Sequence, residues 1–202
     1  VPPAACLPSK NTVLFAYSTD IDYNTFSESV YNIVHYAIYD TYTTFANVRF
    51  DTKQEEKIEY HSDIRSFNTS AYSYPPDPSL GYGDKTTGSN LYSVLKVCTI
   101  SPHLSFTYNT FQKFLNNKNA LLCGTQVLIA VKRYPDESDV SDVISQLRAN
   151  HVIVHIAVDS NPSGGFNSAT LYEMAYQTNG YCLFARAVIF RVWVFLKSKL
   201  MK

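Results

Sequence analysis

Three stretches of this chain are apolar almost without a break: Thr12 to Tyr17 (TVLFAY), Val127 to Val131 (VLIAV) and Val152 to Val158 (VIVHIAV). A strand with one face in water alternates apolar and polar residues, so a run that is apolar at every position must be covered on both faces. Helical spacing follows each run. After the first, Phe26, Val30, Ile33 and Ala37 recur at steps of four, three and four, with Ile38 beside them and Thr25 or Asn24 as a cap. After the second, Val140, Val143, Ile144 and Leu147 mark a helix within Ser138 to Asn150; after the third, Leu171, Met174 and Ala175 mark one over Ser168 to Thr178, stopped by Asn179-Gly180. Buried strands separated by helices require right-handed crossovers. The expected fold is a doubly wound α/β sheet, mostly parallel, in three layers with helices on both faces.

The remaining segments constrain less. Ala46 to Asp51 reads as a strand, Ile58 to His61 as a short edge strand reached through the charged turn Lys53 to Lys57, and Tyr181 to Ala185 as the closing strand. A helix is expected from Asn90, with Leu91, Val94, Leu95 and Cys98 on one stripe, and another over Tyr108 to Leu115. Ser66 to Gly88, rich in Ser, Tyr, Pro and Gly, is expected to be the longest irregular segment. Ala187 to Leu196 is apolar but interrupted by Arg191 and too short to span a bilayer; an added edge strand or an aggregation-prone extension are its two readings. The chain thus divides into a lead (1–10), a domain (11–185) and a tail (186–202).

Nearly half of the 202 residues are apolar and the net charge is zero, so no general field draws the chain to nucleic acid or an anionic membrane. The opening Val-Pro-Pro is expected to follow a removed leader, which makes the protein secreted. Cys6, Cys98, Cys123 and Cys182 fall singly, without zinc or redox spacing. Three pairings are open; Cys6 with Cys182 and Cys98 with Cys123 is preferred because the first bond would staple the ends of the domain together, and free buried thiols are the alternative. Asn68-Thr69-Ser70 is a glycosylation sequon, expected on an exposed loop. His35, His61, His103, His151 and His155 lack metal spacing, and Ser163-Gly164-Gly165 reads as a turn. Nucleophile elbow, phosphate loop and dinucleotide fingerprint are all missing. Sixteen tyrosines, among them Tyr72, Tyr74 and Tyr82 in the long segment, suit either contact surfaces or packing over the core.

The order VLFAYSTDID (13–22), TGSNLYSVL (87–95), then VLIAV, VSDVISQLRANHVIVHIAVDS and LYEMAYQTNGYCLF resembles a von Willebrand factor type A domain over Asn11 to Ala185. Its Tyr- and Asn-rich character is similar to secreted nematode proteins that carry such domains. The family commonly binds a divalent ion above the sheet through D-x-S-x-S after the first strand, a later Thr and an Asp after the fourth strand. The resemblance puts Tyr17, Thr19 and Ile21 at the first three ligand positions, Ser89 at the Thr and Arg133 at the last Asp. Only Thr19 and Ser89 retain a ligand hydroxyl, and Arg133 brings a fixed positive charge, so a degenerate site with no metal and no cofactor is expected. A loop shifted by one residue, presenting Asp20 and Asp22, is the alternative.

The function implied is a secreted, non-enzymatic adhesion or interaction module for a protein or extracellular-matrix ligand, without nucleic acid or a membrane span. Its expected contact rim is Ser18, Thr19, Asp20, Asp22, Ser89, Asn90, Arg133 and Tyr134, with Arg133 pairing with a partner carboxylate. A hydrolytic or metal-assisted enzyme on a similar sheet, and a lectin-like surface binder, are the alternatives.

Overall fold

The first apolar run forms β1 (Asn11–Ser18), held between β2 (Tyr42–Phe50) and β4 (Gln126–Val131). Leu14 and Ala16 pair with Ala46 and Val48 of β2 on one side and with Val127 and Ile129 of β4 on the other. The computed structural model describes residues 11–37, 42–95, 114 and 122–186. Among these the sheet has six strands in the order β3-β2-β1-β4-β5-β6, completed by β3 (Glu59–His61), β5 (Ile153–Asp159) and β6 (Cys182–Ala185). Every neighbouring pair is parallel except β2 with β3, which run antiparallel at the edge.

From β1 the chain winds outward to β2 in its first half and from β4 to β6 in its second. Right-handed crossovers therefore lay the helices of the two halves on opposite faces. Val13, Phe15 and Tyr17 pack with Phe26 and Val30 of α1 (Tyr23–Asn32) and with Phe67 and Ala71 of α2 (Ile64–Ser73). Leu14 and Ala16 face the other layer, with α3 (Leu91–Leu95), α4 (Ser141–Ala149) and α5 (Ala169–Gln177). Phe114 is buried in that second layer too. No helix among the described residues is long and apolar enough to cross a membrane.

Several expectations are corrected. The N-terminal cap of α1 is Asp22, which accepts from Thr25 N at 2.9 Å, rather than Asn24 or Thr25. The segment expected to be irregular from Ser66 contains most of α2, capped by Asp63, which accepts from the amides of Arg65 and Ser66. Its sequence, IRSFNTSAYS, is so polar that its apolar positions, Ile64, Phe67 and Ala71, pass unnoticed, although their spacing of three and four suits burial of one narrow stripe. Asn68 consequently lies half-buried within a helix, not on a loop. Cys182 is a free thiol packed against the second layer, and burial pushes its pKa up to about 12; Cys6, its expected partner, lies outside the described residues. Cys123 is disulfide-bonded. Cys6, Cys98, the Tyr108 to Leu115 helix (Phe114 apart) and the tail from Ala187 lie outside the described residues.

If α2 closes the first layer, Phe67→Ala should lower the free energy of unfolding by about 3–5 kcal/mol in urea titrations, the usual loss for a fully buried aromatic ring. A change within about 0.5 kcal/mol, as an irregular surface segment would give, contradicts this placement.

Candidate functional site

Ligands of open parallel sheets meet the carboxyl ends of the strands where strand order reverses, here between β1 and β4. Side chains leave a strand alternately to opposite faces, and this decides which residues at the end of β1 reach that crest. Tyr17, Thr19 and Ile21 turn away from it. The Tyr17 ring packs between Phe15 and Phe26, at centroid distances of 5.1 and 4.9 Å, and its hydroxyl donates to Tyr74 O at 2.6 Å. Desolvation raises the pKa of this phenol well above its ordinary value. Thr19 Oγ1 donates to Asp77 O at 2.7 Å, and Ile21 is buried with α1. Ser18 and Asp20 face the crest instead. The adhesion motif laid on Tyr17, Thr19 and Ile21 is thus one residue out of step with the side chains that gather there.

At the centre stands Asp51, just beyond β2, fully buried and in the left-handed region at φ 65°. Ser18 Oγ donates to its Oδ2 and Ser89 Oγ to its Oδ1, each at 2.6 Å. Asn90 N donates to Oδ1 at 3.2 Å, and Asn90 Oδ1 accepts from Asp51 N at 2.8 Å. One carboxyl thereby ties together the ends of β1 and β2 and the turn before α3. Burial is the main influence on this carboxyl and pushes its pKa up to about 7, against the hydrogen bonds from Ser18 and Ser89; the charge of Asp20 adds a smaller push. Sequence reading placed Asp51 at the end of a strand and gave it no role. An aspartate directly after an apolar strand, in a sheet whose ligands bind at strand ends, was the available signal.

The second knot is Arg133, only 2% exposed. Its Nε donates to Asp20 Oδ2 at 3.1 Å, its Nη1 to Thr87 O at 2.7 Å, and its guanidinium carbon lies 5.3 Å from the centre of the Tyr82 ring. Ser163 Oγ also donates to Asp20 Oδ2. Gly164 backs the guanidinium so closely that a Cβ there would lie 2.1 Å from Nη1. Backbone bonds knit the surrounding loops: Ser89 N to Tyr134 O and Tyr134 N to Gly164 O, both 2.8 Å, and Ser163 N to Lys132 O and Asn167 N to Pro135 O, both 2.9 Å. Beside them Lys132 pairs with Asp159 at 2.7 Å.

The expected rim is therefore mostly interior. Ser18, Thr19, Ser89 and Arg133 are buried, Asp20, Asn90 and Tyr134 are partly exposed, and Asp22, spent on capping α1, is exposed. Arg133 is shielded from any external carboxylate because it serves Asp20 of its own chain. Outward from this knot stand Lys85, Thr86 and Thr87, Asp136, and Phe166, which is 76% exposed.

A hard divalent cation requires several oxygen ligands at about 2.0–2.6 Å. Here Asp20 Oδ2 is shared by Arg133 and Ser163, Asp20 Oδ1 abuts Gly81, and both oxygens of Asp51 accept from the chain itself. With a guanidinium seated on Asp20 and the Asp51 oxygens already spent, these residues do not fit a metal ion.

No protein-family model and no curated protein sequence matches this chain. Solved structures do. Proximal thread matrix protein 1 from the mussel byssus is similar over 97% of this chain with a TM-score of 0.55 and 11% identity. The fold is of the von Willebrand factor type A kind. This chain spans 46% of the length of that mussel protein, a second structure of which has a zinc-occupied metal-ion adhesion motif. BatB from Bacteroides thetaiotaomicron is similar over 95% of this chain and 98% of its own, with a TM-score of 0.52 and 12% identity. At such identities the likeness concerns the type A fold alone.

Asp51 makes the stability of this type A fold depend on pH. The folded state holds its proton more tightly than the unfolded chain, where an aspartate titrates near ~3.9. Its contribution is therefore complete at acid pH, declines as pH rises from about 4 to about 7, and is flat beyond. Asp51→Asn tolerates the left-handed backbone and removes the decline. Relative to wild type, the variant should gain on the order of a few kcal/mol across that interval in urea titrations at fixed pH. Parallel pH profiles for the two proteins would show that Asp51 titrates normally.

Proposed function

We propose that residues 11–185 form a secreted, non-enzymatic interaction module of type A fold whose crest contacts a protein or extracellular-matrix ligand without a bridging metal ion. The observation that carries this reading is the closure of Asp20 by Arg133 and Ser163 from within the chain. A crest whose carboxylate is already paired from within must offer shape and side chains to a partner. The exposed Phe166, in the loop whose backbone is bonded to Tyr134 and Pro135, supplies an apolar foot, and Thr87 and Asp136 a polar margin. The matrix role printed for the mussel neighbour and the disulfide-bonded Cys123 support an extracellular setting. A Cys98–Cys123 bond belongs to this proposal, with Cys123 oxidised and Cys182 free. A kinship with secreted nematode proteins, read from the Tyr- and Asn-rich sequence, is part of this proposal and says where ligands should be sought.

Isothermal titration of the purified chain with Mg²⁺, Mn²⁺ and Ca²⁺ should show no saturable heat. Binding to extracellular-matrix preparations, read by surface plasmon resonance, should be unchanged by EDTA and weakened about tenfold or more by Phe166→Asp, as loss of a central aromatic contact predicts. Binding abolished by EDTA, or a saturating metal isotherm, would sink the metal-free reading.

A further inference from the structure

The sheet ends in two unlike edges. β3 is set among charges, with Glu56, Lys57, Glu59 and Asp63 on and beside it, and such charges keep an edge strand from pairing with another chain. β6 has no such protection: from Met174 to Ala185 not one residue is charged. Its inner edge is spent on β5, where Tyr181 O and Ala185 O accept from Ile156 N and Ser160 N at 2.7 and 3.0 Å. Backbone groups alternate in direction along a strand, so those of Cys182 and Phe184 point to the outer edge, which no described strand pairs. Four of the ten large apolar side chains that stand exposed among the described residues border this edge: Tyr172, Tyr176, Tyr181 and Phe184. α5 is the last described helix of its layer. Its flank at Thr170, beside Tyr92 of α3, is buried. The opposite flank overhangs β6 and bears Tyr172 and Tyr176, 56% and 71% exposed, with nearly parallel rings 6.1 Å apart. Together the four rings offer roughly 500 Å² of apolar surface, more than half of the about 800 Å² that each partner contributes to a standard interface.

We propose that β6 is a self-association edge, on which a second copy of this chain pairs its own β6 antiparallel across a two-fold axis. A two-fold contact needs one surface that is complementary to itself. This edge meets that condition. Being uncharged, it meets no like charge in its copy. With Leu183 on the axis, the outward backbone groups of Cys182 in each copy face those of Phe184 in the other, and every one of them gains a partner. The exposed tyrosines of the two α5 helices then close over the joint from one face, and Tyr181 borders it on the other. Because the paired strands run in opposite directions, the two crests lie at opposite ends of the joined sheet. The association therefore leaves both crests open and is independent of the metal-free reading.

The test follows the full chain by sedimentation velocity over a series of micromolar concentrations, where wild type should pass from monomer to dimer. Tyr172→Glu and Tyr176→Glu, at exposed positions, should keep the wild-type Tm and raise the dimer dissociation constant about tenfold or more, as loss of an aromatic contact in a desolvated interface predicts. Tyr23→Glu, at an exposed aromatic on α1, should leave it unchanged. Leu183→Cys reads the register: directly opposed residues of a non-hydrogen-bonded antiparallel pair have Cα atoms about 4.5 Å apart, within disulfide reach. Mild oxidation should therefore cross-link this variant into a covalent dimer and leave wild type uncross-linked. A wild-type chain that stays monomeric throughout overturns the inference, whether the edge is covered by another protein or by the chain itself. A dimer indifferent to both α5 variants, or weakened as much by Tyr23→Glu, overturns it too. Absence of the Leu183→Cys cross-link overturns the antiparallel β6 pairing.

Discussion

Everything in this molecule hangs on the burial of β1 from both sides. Its apolar residues leave it no solvent-facing surface, so it takes parallel neighbours on both edges and a helical layer over each face. That requirement sends the first half of the chain one way along the sheet and the second half the other. The gap between the two directions opens at the carboxyl ends of β1 and β4, and loops from distant parts of the sequence meet there for no reason other than topology.

Where such loops meet, backbone groups and short polar side chains crowd together away from water, and each must find a partner. The crest solves this with two hubs, one a buried carboxyl and the other a guanidinium. Asp51 accepts from Ser18, Ser89 and Asn90, and Arg133 donates to Asp20 and Thr87. The hubs differ in electrostatic character. Asp51 is satisfied by neutral donors, so burial dominates and the carboxyl holds its proton toward neutral pH. Asp20 has a full countercharge within hydrogen-bond distance.

The type A fold in the mussel and bacterial neighbours is reached at 11–12% identity, which shows how little of it depends on particular side chains. What must be kept is a doubly buried central strand and the winding order around it. The crest is free to change, since its residues contribute little to the layers beneath. In this chain it has become an internally bonded surface, and the functional reading follows from that closure, not from the fold.

The apolar runs and the helical spacing after them were enough to foresee the parallel sheet, its two helical layers and the strand–helix order, because doubly buried strands and amphipathic helices write their environment into local pattern. The place of Arg133 just beyond the apolar strand β4 was legible as well. Three things were not. The polar helix α2 hid because a narrow buried stripe of Ile64, Phe67 and Ala71 leaves most of its residues in water. The facing of residues 17 to 22 escaped because alternation along a strand has two phases, and only packing against α1 and the segment around Tyr74 and Asp77 selects one. The pairing of Asp20 with Arg133, 113 residues apart, belongs wholly to the tertiary structure. Sequence supplies the charges, but the reversal of strand order between β1 and β4 is what brings them within reach and, by burying both, binds each to the other.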